Sequence, residues 1–391
     1  MDEMTPRYGA ASDPDFTRAR RNTPSQEAQD FAAADLDELD RGVVHALQIH
    51  PRAPWTLVGD VLGVNPVTVA RRWQRLEEAG LAWVTAYPRL SDSRIVVTGI
   101  VEVDTEPGVA EDVARALAAE HAVANVKITA GGRDVVTAVQ TRDLDELAHL
   151  TTRLFQQTPG VRATRTHVST GVPTEGSRWR LRSLDAAQCA RIEASHASDI
   201  PPDPGTGTTA PWDALDAQIL ELLSSDGRMS IRALATATGV GLTTVRRRLQ
   251  SLLASRVSLR CDLARRLSGW PLSAVYFASV PAQYLEETSR VLSGVREVRS
   301  CAITAGPHNL VIDVWLRALA DVHTFEAHLS RRLPRLVIDD RSVVLRTVKH
   351  MGRILDRDGR CVGVVPLREP QGTHTPADRL LAASDDGPLW R

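Results

Sequence analysis

The feature that most limits how this chain can fold is that it repeats itself. A shift of 176 residues superimposes Asp37 on Asp213 and keeps that register through the next forty residues. Further on, a shift of 175 residues places Ile128-Thr129-Ala130-Gly131 on the identical run Ile303-Thr304-Ala305-Gly306. Self-similarity at a fixed spacing indicates a duplicated structural unit. We therefore expect two copies of one fold, at residues 36 to about 170 and 212 to about 350.

Each copy opens with a pattern typical of three short helices. Apolar side chains recur at helical spacing over residues 36–49 and again, after two prolines, over residues 55–62. Asn65 is a favoured N-cap, and Pro66 occupies the first helical position, where proline is tolerated. A third helix is thus predicted from Pro66 to about Ala79. Three helices with short connections of this kind predict a helix-turn-helix head.

The third helix of each head carries a polar and arginine-rich surface. In the first copy Val69, Trp73 and Leu76 form the buried stripe, so the other faces point outward. Arginine can bind guanine or phosphate, while threonine and valine can contact base edges and thymine methyl groups. The alternative is a solvated arginine face, but two copies of one Thr-Val-x-Arg-Arg frame favour double-stranded DNA as the partner. The predicted DNA-binding residues are Val67, Thr68, Arg71, Arg72, Arg75, Thr243, Thr244, Arg246, Arg247 and Arg248.

Behind each head, strand and helix patterns alternate in the order βαββαβ. This order predicts a ferredoxin-like domain, with a four-stranded antiparallel sheet covered by helices on one face. The uncovered face needs a partner, and the sheet of the other copy is the obvious candidate. We therefore predict a pseudo-twofold dimer built within one chain.

The fold class is accordingly α+β, with two repeats of a winged-helix-like head and a ferredoxin-like effector and oligomerisation domain. Between the copies, the proline and glycine density of residues 200–207 disfavours both helix and strand, which predicts a linker. The expected boundaries are an N-terminal tail at 1–34, a first head at 35–90, a first ferredoxin-like domain at 94–170, a linker at 171–210, a second head at 211–262, a second ferredoxin-like domain at 270–350 and a C-terminal tail at 351–391.

Composition excludes several other classes of protein. The 47 basic and 48 acidic residues nearly cancel, so a DNA-binding surface must arise from local clustering. The four cysteines form no C-x-x-C pair, and neither a phosphate loop nor a nucleophile elbow is present, so no catalytic residue, cofactor or metal is predicted. No apolar run approaches the roughly 18 residues of a membrane span, which predicts a cytoplasmic protein without a membrane partner.

The order of these motifs resembles that of the Lrp/AsnC family of bacterial transcription regulators. The resemblance rests on Leu36-Asp37-Glu38-Leu39-Asp40, Asn65 to Leu76 and Gly131-Gly132-Arg133-Asp134, and in the second copy on Leu215-Asp216, Thr243 to Leu249 and Gly306-Pro307-His308-Asn309. It implies a DNA-binding regulator that forms homo-oligomers and senses a small effector, such as an amino acid, near the Gly-x-x-Asp turn. The effector-binding residues it implies are Gly131, Arg133, Asp134, Gly306, His308 and Asn309.

Two departures from the family pattern keep other functions open. The family usually has one unit per chain, and Asn309 stands where the first copy has Asp134. Siroheme decarboxylases are similar tandem units, in which residues such as Arg133 and His308 would hold a carboxylated tetrapyrrole. His308 as an exposed turn residue is the simpler interpretation. A scaffold that recruits a partner through its open sheets is the third hypothesis.

Overall fold

The computed structural model describes residues 36–89, 96–199 and 212–368. The first head contains α1 (Glu38–Ile49), α2 (Trp55–Leu62), α3 (Pro66–Glu78) and β1 (Ala82–Pro88). The first α/β domain contains β2 (Val97–Thr105), α4 (Ala110–Ala118), β3 (Val123–Ala130), β4 (Val135–Thr141), α5 (Leu144–Leu150) and β5 (Val161–Thr174). Helix α6 (Ala186–Asp199) follows the first copy.

The second copy repeats this order. Its head contains α7 (Ala214–Ser225), α8 (Ile231–Thr238), α9 (Leu242–Ser255) and β6 (Val257–Leu263). Its α/β domain contains β7 (Leu272–Ser279), α10 (Leu285–Ser293), β8 (Val298–Ala305), β9 (Leu310–Leu316), α11 (Asp321–Arg332) and β10 (Val337–His350). A short hairpin, β11 (Arg353–Leu355) and β12 (Cys361–Val364), ends the described chain. The predicted α+β fold and its βαββαβ order are confirmed in both copies.

The caps of the recognition helices explain where these helices begin. The Asn65 side chain accepts a hydrogen bond from the Val67 N–H at 2.8 Å, and Pro66 occupies the first turn of α3. Gly63, just before it, closes α2 in the left-handed region at φ 68°, which glycine adopts without strain. The second head reaches α9 through Gly241, which provides no side-chain cap. The two heads therefore use the same turn with different capping strength.

The two sheets join into one closed ring of eight antiparallel strands. The first half of β5 pairs with β2 of its own copy, and its second half pairs with β8 of the other copy. Strand β10 does the same with β7 and β3, which closes the ring. Because the two long strands exchange partners reciprocally, the copies are related by a pseudo-twofold axis. The predicted pairing of the two sheets within one chain is confirmed.

Three apolar clusters hold this ring and its helices together. One lies between the first sheet and its helices and another between the second sheet and its helices. The third fills the inside of the ring with side chains from both copies, among them Val136, Phe277 and Val311. Each sheet is therefore buried on both faces, which removes the open sheet face on which the scaffold hypothesis depended. Apolar burial of this extent is the main source of stability for such a fold.

A second, two-stranded sheet ties the heads to one another. Strands β1 and β6 pair antiparallel over seven residues, with Thr85 opposite Arg260 at the centre. Helix α7 of the second head packs on β1 of the first copy, and Ala86 of β1 belongs to the apolar core of the second head. Each head thus uses a strand of the other copy, and we call β1 and β6 together the hinge sheet.

The segment predicted as a linker contains ordered structure before residue 200. Helix α6 packs on α1 and α2 of the first head, with Ile192 fully buried. Ser183 and Leu184, just before α6, donate their backbone N–H groups to the His45 side chain of α1. Burial lowers the pKa of His45 to about 4. The linker prediction for 171–210 was therefore wrong for residues 171–199. The proline-rich part, 201–210, lies outside the described residues.

The C-terminal tail predicted at 351–391 also begins with ordered structure. Strand β11 pairs with the end of β10, and β12 pairs with β11. Leu367 is buried beside Tyr87 and Met351. Gly80, which follows α3 at φ 66°, accepts a hydrogen bond from the Cys361 N–H at 2.8 Å, and a side chain at Gly80 would collide with the Cys361 backbone. The tail prediction was wrong for residues 351–368, whereas the tail predicted at 1–34 lies outside the described residues.

Candidate nucleic-acid interface

The two recognition helices, α3 and α9, present similar surfaces at their N-terminal ends. Val67 is 67% exposed and Leu242 is 52% exposed, so both apolar side chains face solvent. Thr68 and Thr243 are exposed next to them, and Thr244 is half-buried. Apolar and hydroxyl groups at the start of a recognition helix are suited to thymine methyl groups and base edges. The predicted base-reading end of each helix is therefore accessible.

The arginines on these helices fall into two groups. Arg71, Arg246 and Arg247 are exposed, and within the described residues none of them forms an ion pair. Their guanidinium groups are thus free to bind phosphate or guanine. Since Arg71 and Arg247 occupy equivalent positions, each head offers one matched arginine, and the second head adds Arg246.

Arg72 and Arg75 bind the first helix of their own head. Arg72 pairs with Asp37, the N-cap of α1, and with Asp40 at 3.3 Å, while Arg75 contacts Asp40 at 3.2 Å. Burial tends to raise the pKa of Asp37, but the Asp40 N–H and Arg72 outweigh it and lower this pKa. For Asp40, which is fully buried, burial and the charge of Asp37 outweigh the arginines and raise the pKa. A DNA-binding role for Arg72 and Arg75 therefore stays a prediction, and their contacts here are structural.

The second head repeats this ion pairing between its recognition helix and its first helix, which we call the clamp. Arg248, at the position equivalent to Arg72, pairs with Asp213 at 2.5 Å and with Asp216 at 3.3 Å. Asp213 is the N-cap of α7, as Asp37 is of α1. The Asp-x-x-Asp spacing in the first helix and the second arginine of the Arg-Arg pair thus serve together to fix the recognition helix. For Arg248 too, a role in DNA binding stays a prediction.

This arrangement separates stability from DNA affinity. Replacing Arg72 with alanine removes one of two arginines that face the buried Asp40, and we expect it to lower the free energy of unfolding by about 1–2 kcal/mol. Replacing the exposed Arg71 with alanine is expected to change it by less than about 0.5 kcal/mol. Urea unfolding followed by circular dichroism measures both. Equal stability of the two variants would contradict the clamp.

Two further arginines lock the heads against each other. Arg52 of the first head donates to the carbonyl oxygens of Gly227 at 2.6 Å and Met229 at 2.8 Å. Arg228, its equivalent in the second head, donates to those of Pro51 at 2.6 Å and Ala53 at 2.9 Å. These reciprocal bonds hold the turn before the second helix of each head. We call Arg52 and Arg228 the head lock.

The surroundings of the head lock are tightly packed. The Arg228 guanidinium lies 3.8 Å from the centre of the Trp55 ring, a cation–π distance. Burial, together with the charge of Arg52, lowers the pKa of Arg228 to about 10, so the side chain stays protonated at neutral pH. A side chain at Gly227 would collide with Val84 of the hinge sheet. These contacts fix the turn before the second helix of each head against the opposite head.

A buried ionic network joins the hinge sheet to the ring. Asp262 of β6 accepts hydrogen bonds from Arg260 at 2.9 Å and from Arg299 of β8 at 2.5 Å. His350 of β10 lies 3.6 Å from the same carboxylate. Burial alone would raise the pKa of Asp262, but Arg260, His350 and Arg299 outweigh it and hold this pKa well below its usual range. Arg299 also stacks on the Trp315 ring, 4.4 Å from its centre.

The residues implied as effector ligands have internal partners. The Asp134 carboxylate accepts hydrogen bonds from the Thr105 N–H at 2.7 Å and from its hydroxyl at 3.0 Å. In the second copy, Val280 is equivalent to Thr105. The Asn309 side-chain oxygen accepts a hydrogen bond from the Val280 N–H at 3.0 Å, and the Asn309 amide donates one to the Val280 carbonyl oxygen at 2.7 Å. Asp134 and Asn309 therefore fasten the turn to the neighbouring strand in both copies. Binding of an effector by them stays a prediction.

The other implied ligands meet on the pseudo-twofold axis. Arg133 is buried, pairs with Glu102 and with Asp340 at 2.6 Å, and lies 4.2 Å from the centre of the Phe277 ring. The His308 ring lies 5.7 Å from the same Phe277 ring. Gly131 and Gly306 approach their neighbours closely, so a side chain at either would crowd Arg341 or His167. The structure thus brings both turns together, but most of their polar groups already have internal partners.

Two family models match this chain, and one of them matches it twice. The model described as an AsnC-type helix-turn-helix domain matches residues 36–77 and 213–253. The model described as an Lrp/AsnC ligand binding domain matches residues 98–179. Both heads are thus AsnC-type helix-turn-helix domains, and the first α/β domain is an Lrp/AsnC ligand binding domain. The resemblance found in the sequence is thereby confirmed, and with it a DNA-binding transcriptional regulator in tandem form.

Individual relatives agree with this assignment. An uncharacterized HTH-type transcriptional regulator of Pyrococcus furiosus is 26% identical over 144 residues, which is 36% of this chain and 96% of that protein. The proline dehydrogenase transcriptional activator of Rhizobium radiobacter is 27% identical over 148 residues, 36% of this chain and 93% of that protein. Since archaeal and bacterial regulators both match, a bacterial source stays a prediction for this Lrp/AsnC chain.

One solved structure resembles the whole tandem arrangement. The siroheme decarboxylase NirDL matches with a TM-score of 0.53 and 12% identity, over 84% of this chain and 95% of that chain. At this identity the likeness shows that the tandem Lrp/AsnC fold is shared, and no more. As for membranes, no helix among residues 36–89, 96–199 and 212–368 is long and apolar enough to cross a bilayer.

The sequence did not identify the head lock or the buried network. The 176-residue register already aligned Arg52 with Arg228, which could have indicated a paired role. The network had no such signal, because the positions equivalent to Asp262 and Arg299 are Tyr87 and Ala124.

Proposed function

We propose that both heads of this Lrp/AsnC regulator bind DNA at once, each reading one half-site in the major groove. The observation that carries this is the head lock, which joins two heads whose recognition helices have equivalent exposed arginines, Arg71 and Arg247. A rigid pair of readers related by a pseudo-twofold axis suits two half-sites about one helical turn, or a multiple of it, apart. Because the two helices differ in sequence, the half-sites are expected to be related but not identical.

The DNA contacts can be tested with single and double variants. Arg71→Ala and Arg247→Ala are each expected to weaken specific binding about tenfold, with nearly additive losses because the sites are far apart. Each lost phosphate contact should also reduce the salt slope of binding by about 0.9. Fluorescence anisotropy on operator fragments found by genome-wide occupancy measures both. Arg331→Ala, an exposed arginine on α11, is the matched control and should bind as the wild type does.

The outcomes separate the functions considered. Unchanged binding by the double variant would reject these helices as the readers. Absence of specific DNA binding, combined with tight binding of an iron tetrapyrrole, would favour the enzymatic alternative. That alternative needed Arg133 as a ligand, yet Arg133 is buried and paired with two carboxylates. We therefore propose a regulator without catalytic activity.

Effector sensing and association of whole chains belong to the same proposal. A ligand binding domain is part of the matched family, so a small effector, such as an amino acid, is proposed for the α/β domains. A homo-oligomer of tandem chains is proposed as well, although the eight ring strands leave no open sheet face to form it. Light scattering of the purified chain tests the association directly, and a monomer at all concentrations would exclude it.

A further inference from the structure

A cleft lies where the hinge sheet meets the ring, away from the two glycine turns. It has a volume of about 230 Å³ and is bounded by β1, β7, β9, β10 and the turn of the C-terminal hairpin. Trp83 of β1 and Trp315 of β9 are among the side chains that line it, with Leu272 and Leu355. These walls are suited to the apolar body of a small molecule.

The charges in the cleft are unbalanced toward the positive. Five cationic side chains line it against three carboxylates, and one of the five, Arg346, pairs with Glu111 outside the lining. Each carboxylate already has partners: Asp313 binds Lys127 at 2.6 Å, Asp358 binds Arg266 at 2.8 Å, and Asp356 accepts two backbone N–H groups at 2.9 Å. Two of the three carboxylates are therefore neutralised by a lining cation, and Asp356 is held by backbone N–H groups.

Several donors in the cleft have no such partner. Across the described ranges, the guanidinium groups of Arg265 and Arg357 form neither a hydrogen bond nor an ion pair. Burial lowers the pKa of Arg265, which shows that its charge is held in a poorly solvated place. Two guanidinium groups without an ion pair, against one carboxylate without a cationic partner, favour an anionic ligand.

The duplication provides an internal comparison. In the first copy, the positions equivalent to Asp313 and Trp315 are Ala138 and Gln140, and that equivalent to Arg346 is Gly171. Trp83 and Lys127, which reach this cleft from the first copy, have Ser258 and Ala302 as equivalents. The fold is formed without these charges and rings at the other end, so folding alone does not account for them here.

We propose that this cleft binds a small organic carboxylate with a flat apolar body, and that Arg265 binds the carboxylate. The cleft touches both the hinge sheet, which carries the heads, and the ring. His350 lines it and lies 3.6 Å from Asp262 of β6. A ligand in the cleft would contact the place where the DNA-binding heads join the α/β domains, and could therefore change DNA affinity. That effect on DNA affinity rests on the proposed function.

Three related probes test the chemistry by isothermal titration of the full chain. Phenylacetate carries the anion, phenylacetamide is its uncharged counterpart, and phenylalanine carries the same ring with an ammonium group beside its carboxylate. Phenylacetate is expected to bind with a dissociation constant at or below about 5 mM, as a ligand of this size allows. The amide and phenylalanine should each bind at least about tenfold more weakly, since one loses the charge and the other introduces an unpaired cation.

Two variants locate the site. Arg265→Gln should weaken phenylacetate binding at least about tenfold, whereas Arg331→Gln on exposed α11 should leave it unchanged. Circular dichroism and DNA affinity of both variants check that they are folded. No phenylacetate binding, equal binding of the amide, tighter binding of phenylalanine, or wild-type binding by Arg265→Gln would each overturn the proposal.

A separate measurement tests regulation. Saturating phenylacetate is expected to change the affinity for the operator about fivefold or more, and Arg265→Gln should abolish the change. Ligand binding without specific DNA binding would leave the cleft in place and reject the proposed function. Specific DNA binding without ligand binding would reject the cleft as a binding site and leave the proposed function in place.

Discussion

Replacing Asp262 with alanine is expected to lower the free energy of unfolding by about 3–5 kcal/mol, because two buried guanidinium groups lose their counter-ion. Arg260 and Arg299 are 5% and 2% exposed, so solvent cannot replace the carboxylate. Burial, only partly offset by Asp262, already lowers the pKa of Arg299 to about 10. Urea unfolding at neutral pH measures the loss. The exposed Asp112, which pairs with Arg115 on the surface, is the control, and Asp112→Ala should cost less than about 0.5 kcal/mol.

The same substitution has a defined pH dependence. The pKa of Asp262 is depressed in the folded state, so its contribution to stability is complete above its unfolded pKa of about 3.9 and is lost as pH falls through the folded value. His350, whose pKa is lowered by burial but raised by Asp262, gains a proton below its ordinary pKa, so the stability difference between wild type and Asp262→Ala should hold or grow slightly from pH 7 to about 5 and shrink in stronger acid. A difference that already shrinks above pH 5 would contradict the ionised network.

Inserting about five base pairs between the half-sites of a natural operator is expected to reduce affinity about 10²- to 10³-fold, to the level of a single head. Half a helical turn places the second half-site on the opposite side of the duplex. Restoring the phase with about ten inserted base pairs should not restore affinity, because the head lock fixes the distance as well as the angle. If the heads were joined by flexible tethers, DNA affinity would recover once the phase is restored. Anisotropy on the three fragments distinguishes these cases.

Loosening the head lock provides the matched control. The double variant Arg52→Ala and Arg228→Ala removes four hydrogen bonds to backbone carbonyls of the opposite head. It should bind the natural spacing more weakly than the wild type and discriminate less against altered spacing. If the variant keeps the full spacing preference, the hinge sheet alone sets the geometry.

Much of this arrangement could be predicted from the sequence, because helix and strand periodicities act locally. The recognition helices, the βαββαβ order and the pairing of the two sheets all follow from apolar patterns that appear twice. Helix α6 was missed because only Ile192 among its described residues is fully buried, which leaves no apolar stripe to recognise. Strands β11 and β12 are three and four residues long, too short for a clear alternation.

The roles of individual arginines could not be predicted, because they depend on contacts between distant parts of the chain. Arg71 and Arg72 are neighbours with the same side chain, yet one is exposed and the other binds Asp37 and Asp40 of α1. Arg133 is a residue type that could bind an effector carboxylate, but in the fold it is already paired with Glu102 and Asp340. Long-range partners of this kind are decided by the tertiary fold, which one sequence does not reveal.

The fusion of two unlike heads has a consequence for gene control. In a dimer of identical chains, turning the protein end for end on its operator changes nothing. Here α3 offers Val67 and Ala70 where α9 offers Thr243 and Arg246, so the two orientations on DNA are chemically different. One operator can therefore hold the chain in a single direction. The cleft lined by Trp83 and Trp315 would then face the same side of every promoter, giving the regulator a fixed upstream and downstream face.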